Sequence, residues 1–125
     1  MNQDKIKAAA AALRQARATR VAIPRISEQF GIQGADEAYA VARCNTMLDL
    51  AEGRRVVGKK IGVTSQAVQQ QLGVGQPDYG VLFADMEFLS GSEVPASRLI
   101  QPKAEGEIAF VVGRDLDGES LSWGR

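Results

Sequence analysis

The 125-residue sequence contains no histidine and a single cysteine. Histidine is the commonest general base near neutral pH and a leading transition-metal ligand. Its absence excludes Ser-His-Asp and Cys-His catalysis and histidine-based zinc sites within this chain. Cys44 alone cannot form an intramolecular disulfide, and no CxxC pair is present for zinc or redox chemistry. Any reaction must therefore use carboxylates, lysine, tyrosine, backbone groups or a hard metal ion.

The sequence also lacks an excess of charge and any long apolar run. Its 15 basic residues balance 15 acidic residues, and this dispersed charge provides no basic surface for nucleic acid. No segment approaches the ~18 apolar residues of a membrane span, and the N-terminal stretch lacks the leucine-rich core of a secretory signal. We therefore expect one cytoplasmic protein that binds neither nucleic acid nor membrane, and whose partner is a small molecule or another protein chain.

Hydrophobic spacing predicts helices first and strands later. Apolar residues recur at helical spacing over 3–19 and over about 36–52, with a break at Pro24 and a stop at Gly53. The stretch RRVVGKKIGVT predicts a strand, SQAVQQQLG a short helix and QPDYG a turn. Cys44, inside the second helix, is interpreted as a small core residue.

The strongest predicted strand covers residues 105–113 and is centred on the apolar run IAFVV. Helix-then-strand order predicts an α+β fold, with a helical region at 1–53 and the first part of a β-rich domain at 54–125. A stable sheet generally needs three or more strands, and this strand has few evident partners in the sequence. We therefore expect the chain to be the N-terminal portion of a longer protein.

Two glutamates one residue apart, Glu105 and Glu107, begin that strand. On a strand they would share one face, with Cβ atoms about 7 Å apart, so their charges would repel. A divalent cation such as Mg²⁺ or Mn²⁺ would offset the repulsion, although two carboxylates are too few for a complete octahedral site. A third protein ligand, or waters and substrate, must complete it. The alternative is a solvated strand end, where alternating glutamates are harmless.

Lys60 and Asp78 are further candidate site residues. Neighbouring side chains of a strand point to opposite faces, so either Lys59 or Lys60 is expected to point inward and hold an anionic substrate. The alternative is two solvated lysines on an edge strand. Asp78 is explained first by turn formation, although a turn can also present a carboxylate to a cleft. The stretch GVTSQAVQ lacks the spacing of a glycine-rich phosphate loop.

Two blocks, VVGKKIGVTSQAVQQQLGVGQPDYGVLFADM and LIQPKAEGEIAFVVGRDL, resemble the 2-hydroxypenta-2,4-dienoate (2-oxopent-4-enoate) hydratases of catechol meta-cleavage pathways. These enzymes are members of the fumarylacetoacetate hydrolase superfamily. The specific part of the resemblance covers residues 53–110. It implies a mixed β roll or sandwich that follows a helical N-terminal region, in a homo-oligomeric enzyme about twice this length.

The resemblance also implies a site and a reaction. Glu105 and Glu107 would hold Mg²⁺ or Mn²⁺, and a third acidic ligand would lie on a later strand outside this chain. Lys60 would neutralise the substrate carboxylate or enolate, and Asp78 would relay a proton or shape the pocket. The implied reaction is ketonisation of a 2-hydroxy-2,4-dienoate and addition of water at C4, which gives 4-hydroxy-2-oxopentanoate.

Other functions stay open at this point. The 4-oxalocrotonate decarboxylases of the superfamily share KIG-T and E-x-E, whereas the stretch LGVGQPDYGVLFADM is more similar to the hydratases. A complex with a decarboxylase of the same pathway is a further expectation. A catalytically inactive fragment or structural subunit is an alternative of another class. Hydrolysis is disfavoured because acylpyruvate hydrolases of the superfamily typically use a Glu-His pair.

Overall fold

The computed structural model describes residues 2–114, so the end of the predicted 54–125 region lies outside the described residues. Two long helices, a short helix between them, and a two-stranded sheet form the described part. The elements in chain order are α1 (Gln3–Thr19), α2 (Ile26–Phe30), α3 (Gly34–Ala51), β1 (Val56–Gly62), α4 (Gln66–Leu72) and β2 (Asp78–Phe83), followed by single 3-10 turns at Ala84–Met86 and Ala96–Arg98. The predicted α+β class is confirmed.

Local sequence signals set the helix ends. The Asn2 side chain accepts hydrogen bonds from the amides of Asp4 and Lys5, and α1 ends at Arg20 in the left-handed conformation. Both long helices lie within two residues of their predicted positions. The helix α2, of little more than one turn, was not predicted from the sequence; the amides of Glu28 and Gln29 bond to the carbonyl of Arg25. Helices this short depend on tertiary packing more than on local propensity.

The hydrophobic core lies between α1, α2 and α3. Its most enclosed residues are small or branched: Ile6, Ala9, Ala10, Ile32 and Val41. The alanines allow α1 to approach α3 closely, because a methyl group adds little thickness to the interface. Cys44 packs against this cluster, as its interpretation as a core residue requires.

A buried carboxylate joins the helices to the start of the sheet. Asp49 on α3 is only 2% exposed, and it accepts hydrogen bonds from Arg14 at 3.0 Å and Arg17 at 2.7 Å. A third cation, Arg54, approaches it at 3.0 Å just before β1. Burial alone would raise the pKa of Asp49, but the hydrogen bond from Arg17 and the charges of Arg17 and Arg54 hold that pKa below its ordinary value.

Arg54 connects Asp49 to the sheet. Its guanidinium also pairs with Asp85 at 2.6 Å and lies over the ring of Phe83, 4.1 Å from the ring centre. Phe83 ends β2 and is buried. The cluster of Asp49 with Arg14, Arg17 and Arg54, called the Asp49 cluster below, therefore fixes the sheet against the helices.

Strands β1 and β2 are antiparallel, and their register pairs Lys60 with Gly80 and Gly62 with Asp78. An irregularity between Val56 and Gly58 shifts the pairing near the start of β1. Gly80 gives the Lys60 side chain room, because a Cβ at position 80 would lie 3.2 Å from Lys60 Cγ. This pairing places Lys60 and Asp78 near the same end of the sheet.

The predicted strand at 105–113 is wrong for the described part of the chain. Residues 105–112 form neither helix nor strand, and Phe110 and Val111 are 88% and 97% exposed. Within residues 2–114, β1 and β2 pair with each other and form a sheet of two strands. An apolar, β-branched run favours strand formation, but a strand also needs a hydrogen-bonding neighbour and a covering layer.

No helix among residues 2–114 combines the length and hydrophobicity needed to cross a membrane.

Candidate functional site

A groove of about 550 Å³ contains three of the four predicted site residues. Lys60 on β1 lies on one part of its wall, and Glu105 and Glu107 lie on another. Lys60 is more than 40 positions from either glutamate in the sequence, so the fold of the chain brings the lysine and the glutamates together. The structure thus places one cation and two carboxylates around a single open space, which we call the Lys60 groove.

The contact between Lys60 and Glu107 is loose. Lys60 Nζ lies 3.8 Å from Glu107 Oε1, and the two side chains are 43% and 53% exposed. An ion pair with this geometry and exposure contributes little to folding. Both groups therefore remain available to a ligand that would bind more tightly than they bind each other.

The two glutamates lie on either side of Gly106 in a segment without regular structure. Glu105 forms no ion pair with any residue in the described part of the chain, and the single ion pair of Glu107 there is with Lys60. Two carboxylates thus face one ammonium group, which leaves an excess negative charge at this part of the groove.

The end of β1, the turn that follows it and Val68 of α4 form another part of the wall, with residues 61–65 and Val68 lining the groove. From the sequence, the GVTS stretch was considered only as a phosphate loop, whose spacing it lacks. Its position at the end of the strand that carries Lys60 was the signal that could have identified it, because loops at strand ends often carry binding groups. Ser65 is engaged locally, since its Oγ accepts a hydrogen bond from the Val68 amide and begins α4.

Asp78 lies at the start of β2, opposite Gly62 in the register. A methyl group at position 62 would overlap the Asp78 carboxylate, so a larger residue there would require the Asp78 side chain to move. Gly62 lines the groove, and Asp78 is not among the residues that line it in the described part of the chain. As the cross-strand partner of Gly62, Asp78 nevertheless points to the same face of the sheet as Lys60, beside the groove.

A larger cavity of about 1200 Å³ lies between α1, α3 and the segment after β2. Its charged lining includes the Asp49 cluster and the pair of Asp85 with Arg98. These charges are already paired with one another, and Arg54 and Asp85 hold each other in their ionised forms: the pKa of Asp85 is lowered mainly by its hydrogen bond from Arg54. We interpret this cavity as structural and the Lys60 groove as the candidate site.

The donor set of the groove fits a hard divalent cation only in part. Carboxylate oxygens are ligands that Mg²⁺ and Mn²⁺ prefer, and Glu105 and Glu107 supply them at one place. Within residues 2–114, no group of three or more histidine, cysteine or acidic side chains is close enough to hold a metal ion. The residues present therefore fit as part of a coordination sphere that needs further oxygen ligands.

Curated relatives of the chain are hydratases. The chain is 50% identical over 117 residues to the TodF product hydratase of Pseudomonas putida F1. The aligned segment covers 94% of this chain and 44% of that protein. It is 55% identical over 113 residues to 2-keto-4-pentenoate hydratase 1 of Dechloromonas aromatica, covering 90% of this chain and 43% of that protein. A 2-hydroxypent-2,4-dienoate hydratase of Pseudomonas putida is 49% identical over 100 residues, with 79% and 45% covered. The resemblance inferred from the two sequence blocks is confirmed.

Solved structures add a fold-level match. The chain superposes on 4-oxalocrotonate decarboxylase from Pseudomonas putida G7, complexed with calcium and acetate, with a TM-score of 0.75 and 29% identity, over 80% of this chain and 39% of that one. The same enzyme complexed with magnesium and adipate gives a TM-score of 0.62 over 66% of this chain and 32% of that one. No protein-family model matches the chain. The chain spans less than half the length of these relatives.

Proposed function

We propose that this chain carries part of the active site of a metal-dependent hydratase that acts on 2-hydroxypenta-2,4-dienoate. The observation that carries the proposal is the convergence of Lys60, Glu105 and Glu107 on one groove. The identity of about half of all positions with hydratases named for this substrate class supports it. Under this proposal the product is 4-hydroxy-2-oxopentanoate.

The substrate chemistry suits a groove with one cation and two carboxylates. Ketonisation moves the proton of the 2-hydroxyl group to C5 and leaves a 2-oxo-3-enoate. Water then forms a bond from its oxygen to C4, and a proton is added at C3. Negative charge develops on the 2-oxygen at both stages, so a neighbouring cation lowers the barrier. Under this proposal Lys60, which lines the groove, binds the substrate carboxylate or that oxygen.

Glu105 and Glu107 are the residues that would hold a divalent cation, Mg²⁺ or Mn²⁺. Such an ion supplies Lewis-acid stabilisation of the charge on the 2-oxygen when it is bound. The decarboxylase that this chain superposes on was solved with calcium and with magnesium, which supports a divalent metal here. The same two glutamates also limit the substrate's position, because its carboxylate must bind away from any glutamate that carries no cation.

We propose that Asp78 acts from beside the groove. Its carboxylate approaches the backbone at Gly62, two residues after Lys60. From this position it can shape the groove or relay a proton through an intervening group, in agreement with the role that the resemblance implies.

The remaining ligands are proposed to come from outside the described residues. The two-part organisation, 1–53 helical and 54–125 the beginning of a β-rich catalytic domain, follows from this proposal, as does a fumarylacetoacetate hydrolase-type roll. The exposed run from Ile108 to Val112 would then become a strand within that roll. A third acidic ligand on a further strand would complete the metal site.

A decarboxylase acting on 4-oxalocrotonate is the second candidate, favoured by the TM-score of 0.75. The sequence identity is 29% to that enzyme and 49–55% to the hydratases, which favours hydration. We also propose a homo-oligomer located in the cytoplasm, with a decarboxylase of the same pathway as a partner. Size-exclusion chromatography with light scattering, alone and with that decarboxylase, tests the assembly.

The deciding experiment measures cation binding and turnover separately. Binding of Mn²⁺ to the purified chain is followed by the electron paramagnetic resonance signal of the free ion. Turnover is followed by loss of the dienol absorbance of 2-hydroxypenta-2,4-dienoate in Mg²⁺ or Mn²⁺. Glu107→Gln should weaken Mn²⁺ binding, because an amide is a poorer ligand than a carboxylate. Glu93→Gln, at an exposed glutamate outside the groove, is the matched control.

Each outcome has a distinct meaning. Mn²⁺ binding that depends on Glu107 but not on Glu93 supports the site, and turnover of the dienol supports the hydratase. Release of carbon dioxide from 4-oxalocrotonate would favour the decarboxylase instead. Binding without turnover would favour the inactive or structural alternative for this chain. Equal Mn²⁺ binding by the wild-type chain and Glu107→Gln would overturn the proposed metal site.

A further inference from the structure

Val63 adopts a backbone conformation that is unusual for its side chain. Its φ of 54° lies in the left-handed region, where a β-branched residue is strongly disfavoured because its Cβ crowds the neighbouring carbonyl oxygen. One other non-glycine residue in the described part of the chain, Arg20, has a positive φ. Arg20 ends a helix, where this conformation is common. Val63 instead follows a strand and lines the Lys60 groove, so helix termination does not explain its conformation.

A side-chain amide holds the strained residue. Gln69 Nε2 donates a hydrogen bond of 2.9 Å to the carbonyl oxygen of Val63, and this contact is partly buried. Gln69 lies in the middle of α4, which Ser65 caps at its start and Gly73 ends. From this capped helix the Gln69 side chain reaches back to the carbonyl of Val63.

Only one of three consecutive glutamines in α4 makes this contact in the described residues. Gln69 is half-buried, whereas Gln70 and Gln71 are exposed. The three have the same propensity for helix, so a general contribution to α4 would be similar at each position. The bond to Val63 distinguishes Gln69 from its neighbours.

We propose that Gln69 is a positioning residue for the Lys60 groove. By holding Val63 in the left-handed conformation, it sets the course of residues 62–65, which share the groove with Glu105 and Glu107. Strained backbone persists where its surroundings over-determine it; here the Gln69 amide holds the carbonyl of Val63, and the preceding residue, Gly62, is held by its pairing with Asp78 in the sheet. The ligand-binding part of this inference rests on the proposed function, but the conformational part does not.

The first test observes the backbone alone. In the ¹⁵N-labelled chain, Gln69→Ala and Gln69→Glu should move the amide signals of residues 62–65, because both remove the donor and the second keeps the side-chain size. Gln70→Ala should leave these signals in place. In a Val63→Gly background, where the left-handed conformation costs nothing, Gln69→Ala should move them far less.

The second test observes ligand affinity by titration with oxalate in the presence of Mg²⁺. Gln69→Ala should raise the oxalate dissociation constant about tenfold, the lower end of the effect of residues that orient metal ligands, and Val63→Gly should restore most of this loss. A structural role alone would lower thermal stability without rescue of affinity by glycine.

The outcomes separate this inference from the proposed function. Unmoved signals at residues 62–65 in both Gln69 variants, or equal shifts in the Val63→Gly background, would overturn the positioning role. If oxalate does not bind the wild-type chain, the proposed function fails for this chain, and the backbone signals still decide the role of Gln69. If Gln69→Ala does not fold, Gln69→Glu and the double variant with Val63→Gly give the answer.

Discussion

In the helical region Val41 and Asp49 are almost completely enclosed, whereas beside the candidate site Phe110 and Val111 lie in solvent. The helices bury their apolar faces against one another, and the buried charge of Asp49 meets counter-charges on α1 and just before β1. The Lys60 groove instead holds one weak ion pair and an excess of carboxylate. Charges that stabilise the fold therefore have close counter-charges, and the charges of the groove are still free to bind a ligand.

The two regions also differ in the distances between their paired charges. Asp49 forms hydrogen bonds of 2.7 and 3.0 Å, while Lys60 and Glu107 are 3.8 Å apart. A buried charge is costly unless it is paired, so burial selects close contacts around Asp49. Exposed charges are solvated by water, so no comparable force draws Lys60 and Glu107 together.

The largest expected effect comes from Asp49→Ala, which breaks the satisfied region. It leaves Arg14, Arg17 and Arg54 without their shared acceptor and should lower the free energy of unfolding by about 3 kcal/mol. Urea denaturation followed by circular dichroism at helical wavelengths measures the loss. Asp36→Asn, at an exposed acidic residue on the same helix, should have a much smaller effect. Equal effects of the two variants would contradict a special role for the Asp49 cluster.

A matched pair of valine truncations tests the two regions directly. Val41→Ala should cost about 2 kcal/mol, because it removes buried methyl groups and leaves a cavity in the core. Val111→Ala removes the same atoms from a side chain in solvent and should change the free energy of unfolding by less than about 0.5 kcal/mol. Both are measured by chemical denaturation of the 125-residue chain. A large loss for Val111→Ala would mean that this segment is packed in solution.

Acid should weaken the helical region through its carboxylates. The pKa of Asp49 is lowered by the net effect of its arginines, and that of Glu37 is lowered mainly by its hydrogen bond from Lys5. A carboxylate whose folded pKa is lower than its unfolded value of about 4 stabilises the fold above that value. This stability is lost as the pH falls from about 4 through the folded pKa. Melting temperatures measured below pH 5 should therefore decrease, and Asp49→Asn should make the decrease shallower.

The smallest effect on stability is expected for Lys60→Met. The substitution removes a loose, exposed ion pair and keeps most of the apolar stem, so the free energy of unfolding should change by less than about 0.5 kcal/mol. Binding of oxalate with Mg²⁺ should nevertheless decrease, because the groove loses its lysine charge. Lys59→Met, on the neighbouring residue of β1 that does not line the groove in the described residues, is the control. Loss of stability without loss of oxalate binding would mean that Lys60 stabilises the fold and does not bind the ligand.

The spacing and type of the apolar residues were sufficient to predict α1 and β1. The helical spacing of Ile6, Ala9 and Ala10 predicted α1, and the β-branched residues after Arg54 predicted β1. The Asp49 cluster was missed, although Asp49 occupies the same helix face as Val41, two turns away. An acidic residue on a buried face, in a chain with several arginines nearby, is a readable signal for such a cluster. Its particular partners are not readable, because they come from α1 and from the start of β1.

The candidate site also combines features that the sequence determines with features that only the fold determines. The amino-acid sequence by itself determined the chemical groups, two hard carboxylates and a lysine, and excluded histidine chemistry. Tertiary structure decided that Lys60, Glu105 and Glu107 share one groove, that Asp78 lies beside Gly62 and outside the groove lining, and that residues 105–112 form no strand with β1 or β2. Side-chain chemistry is a property of each residue, whereas proximity and strand pairing depend on partners that are distant in the sequence, and local propensity carries no information about where those partners lie.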